Sequence, residues 1–102
     1  MNLVALTGRL APVPGRRPHA PSGWSRAAID VPRREPSDPG ILRVALSFPP
    51  EITRLVSEEL RHGDYVAVVG VLDIEAPTPS APRPRAFVVV VESIETLDQR
   101  AF

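Results

Sequence analysis

Residues 41–74 read ILRVALSFPPEITRLVSEELRHGDYVAVVGVLDI, and the spacing of their apolar residues changes twice. From Ile41 to Phe48 the pattern alternates. Leu42, Val44, Leu46 and Phe48 fall on one side, with Ile41, Arg43, Ala45 and Ser47 on the other, the two-residue repeat of a strand. Pro49-Pro50 stops it, because proline has no amide to give a ladder but is tolerated in the first turn of a helix. Ile52, Leu55, Val56 and Leu60 then recur at helical spacing, with Glu58 and Glu59 outward. Arg61 and His62 suit the last turn of such a helix and Gly63 supplies its stop. Alternation resumes from Tyr65 to Ile74, with Val66, Val68, Leu72 and Ile74 expected inward around Gly70.

Working outward, the first strand places Val4, Leu6 and Leu10 on one face and Leu3, Ala5, Thr7 and Arg9 on the other. Gly8 between them allows a bend or a close backbone approach. Residues 11–23 (APVPGRRPHAPSG) are too rich in proline and glycine for a helix and read as a long loop. A second strand runs from about Trp24 to Val31. Ala27, Ile29 and Val31 point one way; Trp24, Arg26, Ala28 and Asp30 point the other. Residues 32–40 (PRREPSDPG) form a polar loop, and 75–85 (EAPTPSAPRPR) a stiff hairpin tip. The last strand, from Ala86 to about Leu97, is rich in valine. The order is strand, strand, strand, helix, strand, strand, over a single domain of residues 1–102. That is the order of the five-stranded OB-fold Greek-key barrel, all-β apart from one helix between strands three and four. Closure removes exposed sheet edges, and the helix is expected to plug one end.

Composition bounds the chemistry. The chain has 102 residues, no cysteine and two histidines, so disulfides and thiolate metal sites are excluded and one core is the expectation. The N-terminus MNLVALTGRL lacks a charged leader, and no apolar stretch reaches membrane-spanning length. A soluble cytoplasmic protein is expected. Net charge is zero and all twelve basic residues are arginine, so every cation can stack on a base or grip a phosphate with two donors. No glycine-rich phosphate loop is present, and neither His19 nor His62 sits in a catalytic grouping. No enzyme activity and no cofactor or metal are expected.

Four segments, in order, resemble the bacterial single-stranded DNA-binding protein family. They are Asn2-Leu3-Val4-Ala5-Leu6-Thr7-Gly8-Arg9-Leu10; Pro21-Ser22-Gly23 followed by Arg26, Ile29 and Val31; residues 60–72 (LRHGDYVAVVGVL); and residues 89–97 (VVVESIETL). The resemblance implies single-stranded DNA as partner, roles in replication, recombination or repair, and a homodimer or homotetramer built partly through the first strand. The chain departs from the family where bases stack. Ile41 and Ser47 stand where aromatics are expected, the tip from Ala76 to Pro84 has none, and Thr96 replaces another. The family's acidic tail, which ends in Pro-Phe and recruits replication and repair proteins, has no counterpart in Asp98-Gln99-Arg100-Ala101-Phe102, so tail-mediated recruitment is not expected.

Single-strand binding needs flat stacking surfaces and a cationic groove. Phe48 shares a face with aliphatics and is expected in the core, and Phe87 either flanks a groove or packs on a neighbour. Trp24 is outward, two residues before Arg26, and two readings are open: base stacking, or packing on a loop or sister subunit. Arg16 and Arg17 in the first loop, Arg83 and Arg85 in the hairpin tip, and Arg9, Arg26 and Arg43 on strands are the candidate phosphate contacts. The alternative is a solvated arginine face neutralised by Glu35, Asp38 and Asp73. The second functional reading is a protein-interaction barrel or primosome-like accessory subunit with little or no DNA binding of its own; a relative of the dimeric, tail-less primosomal replication protein would sit between the two.

Overall fold

The computed structural model describes residues 1–12, 22–34, 37, 40–75 and 86–97. Its elements follow the expected order: β1 (Val4–Ala11), β2 (Ser25–Pro32), β3 (Ile41–Phe48), α1 (Pro50–Glu59), β4 (Tyr65–Ile74) and β5 (Phe87–Thr96). The strands close into a barrel in the order β1-β2-β3-β5-β4. Every pairing is antiparallel except β3 with β5. Alternation then dictates the core. Leu10, Ile29, Leu46, Phe48, Val66, Val68, Val89 and Val91 turn inward and are buried. Phe48 is therefore a core residue, as its face implied.

Two glycines make the ring possible. A Cβ on Gly8 would run into the Asp30 carbonyl oxygen, and one on Gly70 into that of Val90. At these positions one strand's backbone lies against another, and only glycine leaves the room. Beside Gly70 the β4–β5 register slips between Val69 and Gly70, a bulge that adds local twist. Asn2 holds the start of β1: its amide nitrogen donates to the Leu72 carbonyl at 2.8 Å, and its oxygen accepts the Leu72 amide at 2.9 Å. The side chain thereby takes the place of a backbone in the ladder to β4.

α1 packs Ile52, Leu55 and Val56 against the barrel core, and Leu60 just past its end joins them, each partly exposed. Its buried residue is Thr53. The Thr53 hydroxyl lies 3.1 Å from the Phe48 carbonyl, which accepts from it, and 2.8 Å from the Ser25 hydroxyl, so helix and barrel share a satisfied polar contact. The helix ends earlier than its charges suggested. Glu59 is the last helical residue and Leu60 is already extended, at φ −119° and ψ 153°. Arg61 and His62 thus lie beyond the last turn rather than in it. Gly63, at φ +95°, shapes the turn that follows, and its amide donates to the Leu10 carbonyl at 2.7 Å.

The inward assignment fails at one end of the barrel. Leu72 and Ile74 were expected in the core but are 42% and 47% exposed, and Leu42 is 54% exposed. β1 pairs with β4 no further than Val4 with Gly70, and β3 meets β5 only at Leu46 and Ser47. Beyond those points the inner face has no opposite wall, so a side chain on it meets solvent.

Candidate nucleic-acid interface

In a barrel of this topology the outer face of β2 and β3, flanked by the β1–β2 and β4–β5 connections, is where oligonucleotides lie. Register sets what that face carries here. Arg26 is opposite Ser47, Ala28 opposite Ala45, Asp30 opposite Arg43, and Pro32 opposite Ile41. The centre is a floor of small side chains, and the cations stand on either side of it. Ala28 faces outward as expected, yet it is only 2% exposed. Ser47 and Val88, on the outward faces of β3 and β5, are buried as well.

Each candidate arginine of the described strands already has a protein partner. Arg43 grips Asp30 with two bonds, Nε to Oδ1 at 2.7 Å and Nη2 to Oδ2 at 2.9 Å. The bond from Arg43 holds the Asp30 carboxyl below its usual value near 3.8, against partial desolvation, and the pair's charge attraction adds to it. The same bond raises the Arg43 guanidinium. Arg26 Nη2 lies 3.3 Å from Glu75 Oε1. Arg9 turns the other way: its Nη1 donates to the Gly63 carbonyl at 3.0 Å, and its guanidinium sits 6.0 Å from the centre of the Tyr65 ring. Arg33 and Arg34 are exposed just after β2.

The structure therefore brings Arg26 and Arg43 onto one face and places Arg9 on the β4 side. Trp24 immediately precedes β2 and is 38% exposed. It follows Gly23, whose φ of +88° is closed to most side chains. Arg16, Arg17, Arg83 and Arg85 lie outside the described residues, as do Glu35, Asp38, His19 and Phe102. Asp73, expected as a neutralising acid, accepts the Ile74 amide at 2.7 Å. The acids that do engage these strand arginines, Asp30 and Glu75, were not singled out from the sequence. Alternation puts Asp30 and Arg43 outward on consecutive strands, but only the register makes them neighbours.

A cleft of about 360 Å³ opens between the second half of α1 and the start of β2. Leu10, Phe48, Val56 and Leu60 give it an apolar lining, and Arg26 and His62 also border it. Among the described residues no group of three His, Cys, Asp or Glu converges as metal ligands, and no helix is long and apolar enough to cross a membrane.

With a closed five-stranded ring and a helix between β3 and β4, the chain has the oligonucleotide-binding fold. Two similar solved structures are single-stranded DNA-binding proteins. The small single-stranded DNA-binding protein of Streptomyces coelicolor superposes with a TM-score of 0.71 at 18% identity, covering 98% of this chain and 94% of that one. The mitochondrial single-stranded DNA-binding protein Rim1 of S. cerevisiae gives 0.68 at 13% identity, covering 93% of each. No protein-family model and no curated protein matches the sequence.

Proposed function

We propose that this chain binds single-stranded DNA without enzymatic action and with little sequence preference, in replication, recombination or repair, as a soluble cytoplasmic homo-oligomer. The observation that carries the reading is the outer β2–β3 face, where Arg26 and Arg43 flank an alanine floor and exposed Trp24 comes just before β2 at the Arg26 end. The barrel-wide likeness to two single-stranded DNA-binding proteins supports it. Arg26 and Arg43 hold phosphates, and Trp24 offers a base one flat surface, worth roughly 1–3 kcal/mol. Arg9, Arg16, Arg17, Arg83 and Arg85 complete the proposed phosphate contacts. With so few aromatics each site is weak, and assembly compensates, since one strand crossing several subunits gains avidity. The outer face of β1 and β4 suits assembly: Leu3, Ala5 and Thr7 are exposed and uncharged, and Ala5 and Thr7 pair with Val69 and Ala67.

Titrating oligothymidine at low and moderate salt while following Trp24 fluorescence tests this. Quenching that weakens as salt rises is expected, because phosphate contacts release counterions. A Trp24→Ala variant, followed by a label on the DNA, is expected to bind about tenfold more weakly. Absence of binding at low salt would reject the reading.

A second reading, a protein-interaction barrel of the primosomal accessory kind, draws on a different observation. Leu42, Leu72, Ile74 and Phe87 are apolar and exposed, and all belong to the open end of the barrel. Such a patch suits a protein partner better than a phosphate chain.

A further inference from the structure

The ion pair between Arg26 and Glu75 has an unusual route. Arg26 faces Ser47 of β3, and Ser47 faces Val90 of β5. Glu75 comes directly after β4, which in the closed ring lies beyond β3 and β5 in one direction and beyond β1 in the other, and the β1 ladder leaves β4 at Gly70, well short of Glu75. A contact of 3.3 Å between them therefore passes over the outside of β3 and β5. The Glu75 amide donates to the Ala86 carbonyl at 2.8 Å, so Glu75 sits at the base of the β4–β5 connection and carries that base with it. Burial agrees with this placement. Ser47 and Val88 face outward on the strands being crossed and are nonetheless covered, and both side chains of the pair are largely shielded, at 27% and 20% exposure.

On the ssDNA reading above, on which this inference rests, the crossed surface is the one an oligonucleotide would occupy. We propose that the Glu75 carboxylate is a resident competitor for phosphate at Arg26, a self-occupied site that DNA must exchange into. Carboxylate and phosphate present the same chemistry to a guanidinium: two anionic oxygens that accept from its fork of donors. A phosphate arriving at Arg26 displaces Glu75, and the released carboxylate takes up a cation from solution. That uptake offsets the counterion release expected of a phosphate contact. The pair thereby lowers both affinity and salt sensitivity, and favours polyanions that engage several subunits over isolated phosphates.

The test compares wild type with Glu75→Gln, Glu75→Ala and Arg26→Gln, using labelled oligothymidine over a salt series. Circular dichroism of the free proteins checks that the barrel is kept, and Glu75→Gln carries the test should the alanine variant not fold. The account predicts binding roughly two- to fivefold tighter for the Glu75 variants, the scale of a partly exposed ion pair. It also predicts a logarithmic salt slope steeper by up to about 0.7, the contribution of one phosphate contact on a single strand. Arg26→Gln should weaken binding. Equal or weaker binding by the Glu75 variants, with wild type binding normally, overturns the inference and leaves the DNA reading standing. No binding by wild type and Glu75 variants alike at low salt overturns the DNA reading itself, and the inference with it.

Discussion

At Arg43 and Asp30 two oppositely charged side chains face each other across β2 and β3 and close a two-bond fork. The geometry has a pH signature. Asp30 is held below its usual value near 3.8 by the Arg43 hydrogen bond, so the folded protein gives up that proton more readily than the unfolded chain. A depressed carboxyl contributes stability that is present above the unfolded value and lost as pH falls through the folded one. Chemical denaturation of wild type and Asp30→Asn should therefore differ at neutral pH. The gap should hold down to about pH 5 and close progressively below the unfolded value. A gap that persists well below the carboxylate range would mean that Asp30 acts through packing instead. Neither this pair nor the one between Arg26 and Glu75 could be read in the chain. Alternation assigns a face to a side chain, but it does not say which residue of the next strand stands opposite.

Among the elements, the β1–β2 and β4–β5 contacts depend on two residues with no side chain. Gly8 and Gly70 let backbones approach where a methyl group would strike a carbonyl oxygen. Gly70→Ala must push β5 away from β4 at a bulge already under twist, and a loss of about 1–3 kcal/mol in stability is expected from denaturant titration. Gly40, with open space around it, should accept alanine with little change. The strands and helix were legible because each carries its own period. The switch from two to 3.6 and back over residues 41–74 places α1 between β3 and β4 without reference to the rest of the chain. Leu42, Leu72 and Ile74 were not legible as exposed. They keep the alternating pattern of buried residues, and their exposure follows from where partner strands end. The helix end was misplaced for a related reason: Arg61 and His62 suit a dipole, but Leu60 had already left the helix.

For the whole molecule, the barrel buries one face of every strand and leaves two outer regions of different character. The β2–β3 side carries Arg26 and Arg43, and the β1–β4 side presents Leu3, Ala5 and Thr7, with Arg9 at one end beside Tyr65. That division is expected to separate DNA contact from self-association, so light scattering should give a dimer or larger, and a monomer at micromolar concentration would contradict it. Most of the proposed DNA face was legible as a set of residue types and little of it as an arrangement. Arg26, Arg43 and Trp24 were named from alternation, whereas Arg9 proved to turn toward Gly63 and Tyr65. The most direct measurement is to map oligothymidine onto the backbone amides by NMR at low salt. Binding across the outer face of β2 and β3 predicts shifts concentrated at residues 24–30 and 43–47, with the amides of Ala5, Thr7, Ala67 and Val69 unmoved by the DNA. Shifts confined to the β1–β4 side, or to the open end around Leu72 and Phe87, would contradict it.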